Sequence, residues 1–149
     1  IVGEPDKNNP NSVPEATLNE WNEGELVEWW GYQSQMPKTL SRVKMVVLPS
    51  FYGEGVPKVL IEAAACEKPI ITTDMPGCRE IVIHKHNGFL VEPHSPEVIA
   101  EHVKQLLEDD ELCKQMGKEG RRLVESEFSI EKVNLETLLI YGELLGATG

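Results

Sequence analysis

The sequence contains few cysteines, and none of them forms a Cys-x-x-Cys pair. Only Cys66, Cys78 and Cys113 occur among its 149 residues. Three scattered thiols are too few for a disulfide framework, and an odd number of free thiols is typical of proteins of the reducing cytosol. Cysteine usage therefore excludes a small disulfide-stabilised secreted domain and predicts a cytoplasmic location.

Positive charge is also scarce. Lys and Arg total 14 against 25 Asp and Glu, which gives a formal net charge of −11. A chain this acidic is a poor candidate for electrostatic binding to nucleic acid or to an anionic membrane surface. No apolar run approaches the ~20 residues of a membrane helix, and no basic segment followed by an apolar one opens the chain as a secretion signal would. The expected partners therefore do not include nucleic acid.

The four histidines lack the spacing of a metal site. His84 and His86 are two residues apart, whereas His94 and His102 stand alone further along the chain. A closed metal-ligand shell needs a more compact pattern of donor side chains. No metal ion is therefore expected.

Short apolar runs alternate with segments of helical periodicity. Residues 45–48, 70–73 and 89–91 are typical of strands, and the first of these runs is expected to be buried on both faces. Helices are predicted over about residues 13–22, 37–43 and 57–66 and after residues 95, 109 and 129, with Ser12 and Glu15 as a capping box. This order predicts an α/β fold with a Rossmann-like parallel sheet covered by helices on both faces.

The length of 149 residues is that of one ordinary domain. The chain opens on Ile1-Val2-Gly3, which has the character of the end of a buried strand, and it has no initial Met. A strand end at the first residue predicts that residues 1–149 are a single domain cut from a longer chain.

Two loops follow strands and are expected at the same edge of the sheet, namely residues 49–57 and 72–79. Ligands of parallel α/β sheets bind at this edge. In the first loop Gly53 and Gly55 permit close approach of a ligand to the backbone, and the start of the next helix offers free N–H groups to a phosphate.

Glu54 and Glu62 flank the start of this helix. Eight helical steps rise about 12 Å, whereas the acid and base of a glycosidase lie roughly 5–9.5 Å apart. The spacing favours two anchors for different hydroxyl groups of one extended ligand, because carboxylates form strong hydrogen bonds with hydroxyl groups.

The surroundings of the two glutamates resemble one known family. The strand of residues 46–50, the pattern Glu54-x7-Glu62, the Ala-rich helix end and residues 69–74 resemble the C-terminal domain of the family 4 retaining glycosyltransferases, the glycosyl transferases group 1 domain. The resemblance extends over nearly the whole chain, through Gly3-Glu4-Pro5-Asp6, Trp30-Gly31, Pro76-Gly77-Cys78-Arg79-Glu80, Asn87-Gly88-Phe89-Leu90-Val91 and Glu127-Phe128-Ser129. It implies one half of the GT-B fold, with C-terminal helices. Two Rossmann-like domains face each other in that fold, and the C-terminal one binds the nucleotide-sugar donor.

The resemblance also implies roles for particular residues. Glu54, as the catalytic residue, would contact hydroxyl groups of the donor sugar, and Glu62 would hold the ribose. Neighbouring backbone groups would approach the sugar and the diphosphate, and an upstream loop would border the base. The donor-binding set is therefore Glu54, Gly55, Val56, Pro57, Glu62, Gly31 and Tyr32. No metal and no cofactor is implied, and the substrate is a nucleoside-diphosphate sugar, with UDP the expected nucleotide.

Two departures from the family pattern bear on activity. The Arg and Lys that hold the donor diphosphate in the family precede the first residue of this chain, and the acceptor-binding domain is absent as well. Gln35 stands before Met36, where the family usually has Asp, which weakens the case for base recognition by this loop. Residues 1–149 alone are therefore expected to be inactive.

The implied function is sugar transfer with retention from a UDP-sugar to an acceptor sugar or lipid-linked sugar, in the synthesis of cell-surface polysaccharide or lipopolysaccharide. The full-length protein would be cytoplasmic and peripheral to the inner face of the cytoplasmic membrane. Other classes stay open: an epimerase or phosphorylase of the same fold, or a non-catalytic nucleotide-binding module. Single residues also have purely structural alternatives. Glu54 would then be a solvated loop carboxylate, and Glu62 would pair with Lys58. Arg79 would form an ion pair within the domain with Glu80.

Overall fold

A computed structural model describes residues 1–51, 53 and 55–146 of the chain. These residues form seven α-helices and three strands. In chain order they are α1 (Glu15–Glu23), α2 (Met36–Leu40), β1 (Val46–Leu48), α3 (Lys58–Ala65), β2 (Ile70–Thr73), α4 (Pro76–Arg79), β3 (Gly88–Val91), α5 (Pro96–Glu108), α6 (Asp110–Glu127) and α7 (Ile130–Leu144). They fall into two compact units, Ile1–Thr39 and Leu40–Gly149.

In the first unit the start of the chain pairs with residues 28–31. Ile1 donates its amino group to the carbonyl of Glu28 at 2.5 Å and accepts from the N–H of Trp30 at 2.8 Å. One residue bonded to two residues that are two apart is the pattern of parallel β pairing. The N–H of Gly3 then donates to the carbonyl of Gly31 at 2.9 Å. Neither run is one of the three strands of the described residues.

The capping box predicted at Ser12 is wrong. Helix α1 begins at Glu15, with Pro14 at the cap position and no capping side chain. The hydroxyl of Ser12 instead accepts a hydrogen bond from the N–H of Asp6 at 2.9 Å. The loop before the helix uses this side chain, so it is not available to the helix.

In the second unit β1, β2 and β3 form a parallel sheet in that order. Val46 lies opposite Ile70, and Ile71 lies opposite Phe89. The central strand β2 is buried at all four positions. The expected burial of β1 on both faces is wrong, because Val47 is 39 % exposed. In the described part of the chain β1 has a strand neighbour on one side only, and an edge strand is covered less completely than a central one.

Helices cover both faces of this sheet. On one face, side chains of β2 and β3 pack against α5 and α6 in a cluster of Ile71, Phe89, Val91, Leu106, Cys113 and Met116. On the other face, Thr72 of β2 lies against α4, with its hydroxyl oxygen 3.2 Å from the sulfur of Cys78. Alternate residues of a strand point to opposite faces, so Ile71 and Thr72 define the two layers. None of the described helices combines the length and the apolar content required to span a membrane.

Candidate functional site

The carboxyl ends of β1 and β2 lie side by side, and the two loops singled out in the sequence leave from them. The hydroxyl of Thr72 donates to the carbonyl of Leu48 at 2.7 Å. The hydroxyl of Thr73 donates to the carbonyl of Ser50, just beyond the end of β1. Both threonines lie in residues 69–74, which carry part of the family resemblance, but the sequence gives neither of them a role in the site.

The segment that follows β1 leads into the N-terminus of α3. Gly53 and Gly55 are exposed, and a Cβ added at either would meet open space. Pro57 is buried and occupies the cap position of α3 without a capping side chain. The first N–H groups of a helix have no partner within it and carry the positive end of the helix dipole. This end of α3 can therefore receive an anion such as a diphosphate.

Glu62 lies in the second turn of α3, near the candidate anion seat. Its side chain is 27 % exposed, and its Oε1 lies 3.5 Å from Nζ of Lys58, which is 86 % exposed. The exposed lysine makes this ion pair a weak one, and the order Lys before Glu is the less favourable orientation on a helix. Glu62 therefore has the predicted ion pair with Lys58 and can still accept hydrogen bonds from a ligand.

The loop after β2 is held by Asp74 and Arg79. The N–H of Asp74 donates to the carbonyl of Val91 at 2.7 Å, which ties the loop to the end of β3. The guanidinium of Arg79 donates through Nε to the Asp74 carboxylate and through Nη2 to the Asp74 carbonyl at 3.1 Å. The hydrogen bond from Arg79 lowers the pKa of Asp74 below its ordinary value of 3.8. Arg79 therefore forms an ion pair within the domain as expected, but the expected partner Glu80 is wrong, because the acid is Asp74.

The remaining predicted site residues are divided between the two units. Val56 is half-buried and, like Gly55, belongs to the second unit beside α3. Gly31 and Tyr32 belong to the first unit. Gly31 has a φ of +61°, a conformation that favours glycine, and Tyr32 is 70 % exposed. Glu54 lies outside the described residues.

A cavity of about 290 Å³ lies elsewhere in the second unit, between α3, α6 and the start of α7. Its lining includes Ile61, Arg121 and Phe128 and none of the predicted donor-binding residues. Among residues 1–51, 53 and 55–146, no group of three His, Cys, Asp or Glu side chains comes together as metal ligands would. The candidate site is the surface formed by the exposed Gly53 and Gly55 and by the start of α3.

Comparison with known proteins identifies the family to which this arrangement belongs. Residues 1–123 match the family model described as glycosyl transferases group 1. The chain belongs to this family. CapM of Staphylococcus aureus, a capsular polysaccharide biosynthesis glycosyltransferase, is 34 % identical over 105 residues, which are 70 % of this chain and 27 % of CapM. The chain spans 27 to 30 % of the length of the first curated relatives that it matches.

Two solved structures support the fold of this group 1 chain. Sucrose-phosphate synthase from Thermosynechococcus elongatus superposes with a TM-score of 0.85 at 29 % identity, covering 99 % of this chain and 38 % of that protein. A TarM mutant of S. aureus, solved with fondaparinux, alpha-GlcNAc-glycerol and UDP, has a TM-score of 0.77 at 27 % identity, covering 85 % of this chain and 26 % of that protein. The chain has the α/β fold of one half of a GT-B glycosyltransferase, as the resemblance implies. The roles of individual site residues stay predictions.

Proposed function

We propose that the full-length protein is a retaining glycosyltransferase that takes its sugar from a UDP-sugar, and that this chain forms its donor-binding part. The observation that carries the proposal is the N-terminus of α3, which has no capping side chain and is preceded by the exposed Gly53 and Gly55, with Glu62 in the second turn of the helix. The family membership supports sugar transfer. The UDP present in the related TarM structure supports uridine as the base.

The proposed binding mode assigns each part of the donor to a part of the site. The diphosphate lies at the N-terminus of α3, where helix N–H groups and the helix dipole favour negative charge. Glu62 accepts hydrogen bonds from the ribose hydroxyls, and Glu54 accepts them from the sugar as the catalytic residue. The backbone of Gly55, Val56 and Pro57 borders the sugar and the diphosphate. Gly31 and Tyr32 border the base.

The acceptor, the place of action and the activity of residues 1–149 are parts of the same proposal. The acceptor is a sugar or a lipid-linked sugar bound by an N-terminal domain, at the inner face of the cytoplasmic membrane. The name of CapM, which refers to capsular polysaccharide biosynthesis, supports a role in surface polysaccharide synthesis. Residues 1–149 by themselves would transfer no sugar. UDP binding without transfer by the full-length protein would instead identify a non-catalytic nucleotide-binding module.

Replacing Glu62 tests the ribose contact. In the full-length protein Glu62→Ala should weaken UDP binding by roughly 1.5–3 kcal/mol, the loss expected for hydrogen bonds to a charged group. Isothermal titration calorimetry measures this change. Lys58→Ala is the matched control, because it removes the same ion pair and leaves the carboxylate in place. Equal effects of the two substitutions, or unchanged UDP affinity in folded Glu62→Ala, would contradict the ribose role.

Replacing Glu54 separates sugar recognition from nucleotide recognition. Glu54→Gln keeps the shape of the side chain and removes the charge that accepts sugar hydroxyls. We expect UDP affinity to change little and the transfer rate to fall about tenfold or more, which is about 1.4 kcal/mol of transition-state stabilisation. Calorimetry and initial transfer rates of the full-length protein provide the two measurements. A collapse of UDP binding with normal turnover at saturation would show that the roles of Glu54 and Glu62 are reversed.

A further inference from the structure

Strand β2 ends in two consecutive buried threonines, and both hydroxyls donate hydrogen bonds to backbone carbonyls in or just after β1. Thr72 and Thr73 are 0 % and 2 % exposed. The hydroxyl of Thr72 donates to the carbonyl of Leu48, and that of Thr73 donates to the carbonyl of Ser50. Buried hydroxyl groups are costly unless they form hydrogen bonds. Each threonine hydroxyl therefore has a defined backbone carbonyl as its partner, in or just after the neighbouring strand β1.

The hydrogen bonds of Thr72 and Thr73 reach different parts of the chain, the first within β1 and the second beyond its end. Leu48 is still part of β1, its register partner on β2 is Thr72, and its carbonyl also accepts from the N–H of Ser50 at 2.9 Å. The paired register of β1 and β2 ends at Leu48 and Thr72. Ser50 lies beyond that point, in the segment that leads to α3. The hydroxyl of Thr73 thus adds a hydrogen bond between the β1 and β2 segments beyond the end of their strand pairing.

We propose that Thr73 is a positioning residue of the donor site, and that its hydroxyl holds Ser50 and so fixes the point at which the chain leaves the sheet after β1. The consequence for catalysis rests on the proposed function, in which this segment borders the sugar and the diphosphate. Thr73 acts through Ser50 and touches no part of the donor. Thr72 serves the strand pairing itself, with its hydroxyl oxygen near the Cys78 thiol as well.

Thr73→Val is the decisive substitution, because valine keeps the branched shape and lacks the hydroxyl. Thr72→Val is the matched control, since it removes an equally buried hydroxyl from the same strand while the Leu48 carbonyl retains its bond from Ser50. Thr73→Ser restores a hydroxyl and should restore the behaviour of the wild type. If Thr73→Val does not fold, Thr73→Ala removes the same hydroxyl with less steric demand.

The first measurement needs no ligand. Amide relaxation by NMR in the full-length protein reports the order of the Ser50 and Phe51 backbone on the picosecond to nanosecond timescale. Thr73→Val should lower the order parameters at these two residues, whereas Thr72→Val and Thr73→Ser should leave them at wild-type values. Unchanged order parameters in Thr73→Val would overturn the proposal, whatever the protein binds.

The second measurement uses the full-length protein and its transfer reaction. Small displacements of positioned groups lower the rate of the chemical step strongly, so Thr73→Val should reduce kcat by about tenfold. UDP affinity should stay within about threefold, because Glu62 holds the ribose from within α3 in the proposed mode. Equal losses of kcat in Thr73→Val and Thr72→Val would show a general packing effect and overturn the positioning role. Failure of the wild type to bind UDP would refute the proposed function instead, and the order parameters would then decide the role of Thr73.

Discussion

Asp74 connects the loop after β2 to the end of β3 through its backbone and to Arg79 of α4 through its side chain. The backbone of Asp74 is bonded to Val91 at the end of β3, and its carboxylate receives the guanidinium of Arg79 from α4. The two residues are five apart, a spacing that is not a helical neighbour relation. The pair holds the loop after β2 in place beside the candidate site.

The lowered pKa of Asp74 makes the contribution of this pair depend on pH. A carboxyl group with a lowered pKa in the folded state stabilises that state above its ordinary pKa, and the contribution disappears as pH falls through the lowered pKa. Arg79→Gln should therefore lower the urea midpoint at pH 7 and match the wild type progressively below the ordinary value of 3.8. Urea unfolding at several pH values measures this. Lys118→Gln, on the exposed surface of α6, is the control. A difference that does not depend on pH would show that Arg79 stabilises the protein by packing alone.

Helix α6 has two buried glycines where it packs against the region of α3. A Cβ at Gly117 would overlap the backbone carbonyl of Glu67, just after α3. A Cβ at Gly120 would lie 3.5 Å from the Cβ of Ala64, an ordinary contact distance. Both glycines are buried, but only Gly117 is required by the approach of another backbone.

The two positions should therefore respond in opposite ways to alanine. Gly117→Ala should destabilise the protein by about 1–3 kcal/mol, because the clash is with backbone that cannot move aside easily. Gly120→Ala should be neutral or stabilising by up to about 1 kcal/mol, since alanine is the better helix former and meets no clash. Denaturant midpoints of both variants check this. Equal destabilisation at the two positions would contradict the close approach of the Glu67 backbone to Gly117 alone.

The chain as a whole combines a strongly acidic composition with a site proposed to bind an anion. With a net charge of −11, the overall field repels a diphosphate, so attraction must come from local groups such as the helix N-terminus. If the diphosphate lies at the start of α3, UDP should therefore bind more tightly than uridine, which has no phosphate.

Ligand-induced thermal stabilisation tests this prediction on the full-length protein. UDP at about 100 times its dissociation constant should stabilise the folded state by about 2.7 kcal/mol, and uridine at the same concentration should stabilise it far less. Differential scanning fluorimetry compares UDP, UMP and uridine, with ADP as a test of the base. Equal shifts with UDP and uridine would contradict a diphosphate seat at α3.

Features that depend on local sequence were predictable. The sequence predicts a cap at Asp109 or Asp110 and another at Ser129, and the structure has Asp109 and Ser129 in these roles, with side chains that accept from the N–H groups of Leu112 at 2.9 Å and Lys132 at 3.3 Å. Each cap joins residues three apart, so the pattern is visible in a short stretch of sequence. The alternation of apolar runs and helices, and hence the α/β fold, follows from periodicity in the same way.

The sequence by itself therefore determined the alternation of strands and helices, the caps of α6 and α7, and the glycines that precede α3, because these depend on residues close together in the chain. Only the tertiary structure decided that β1 is partly exposed and that Thr73 holds the carbonyl of Ser50. Thr73 and Ser50 are 23 residues apart in sequence. Two threonines in a strand predict burial, but the partners of their hydroxyls depend on which strand lies alongside and in which register, and no local pattern records that.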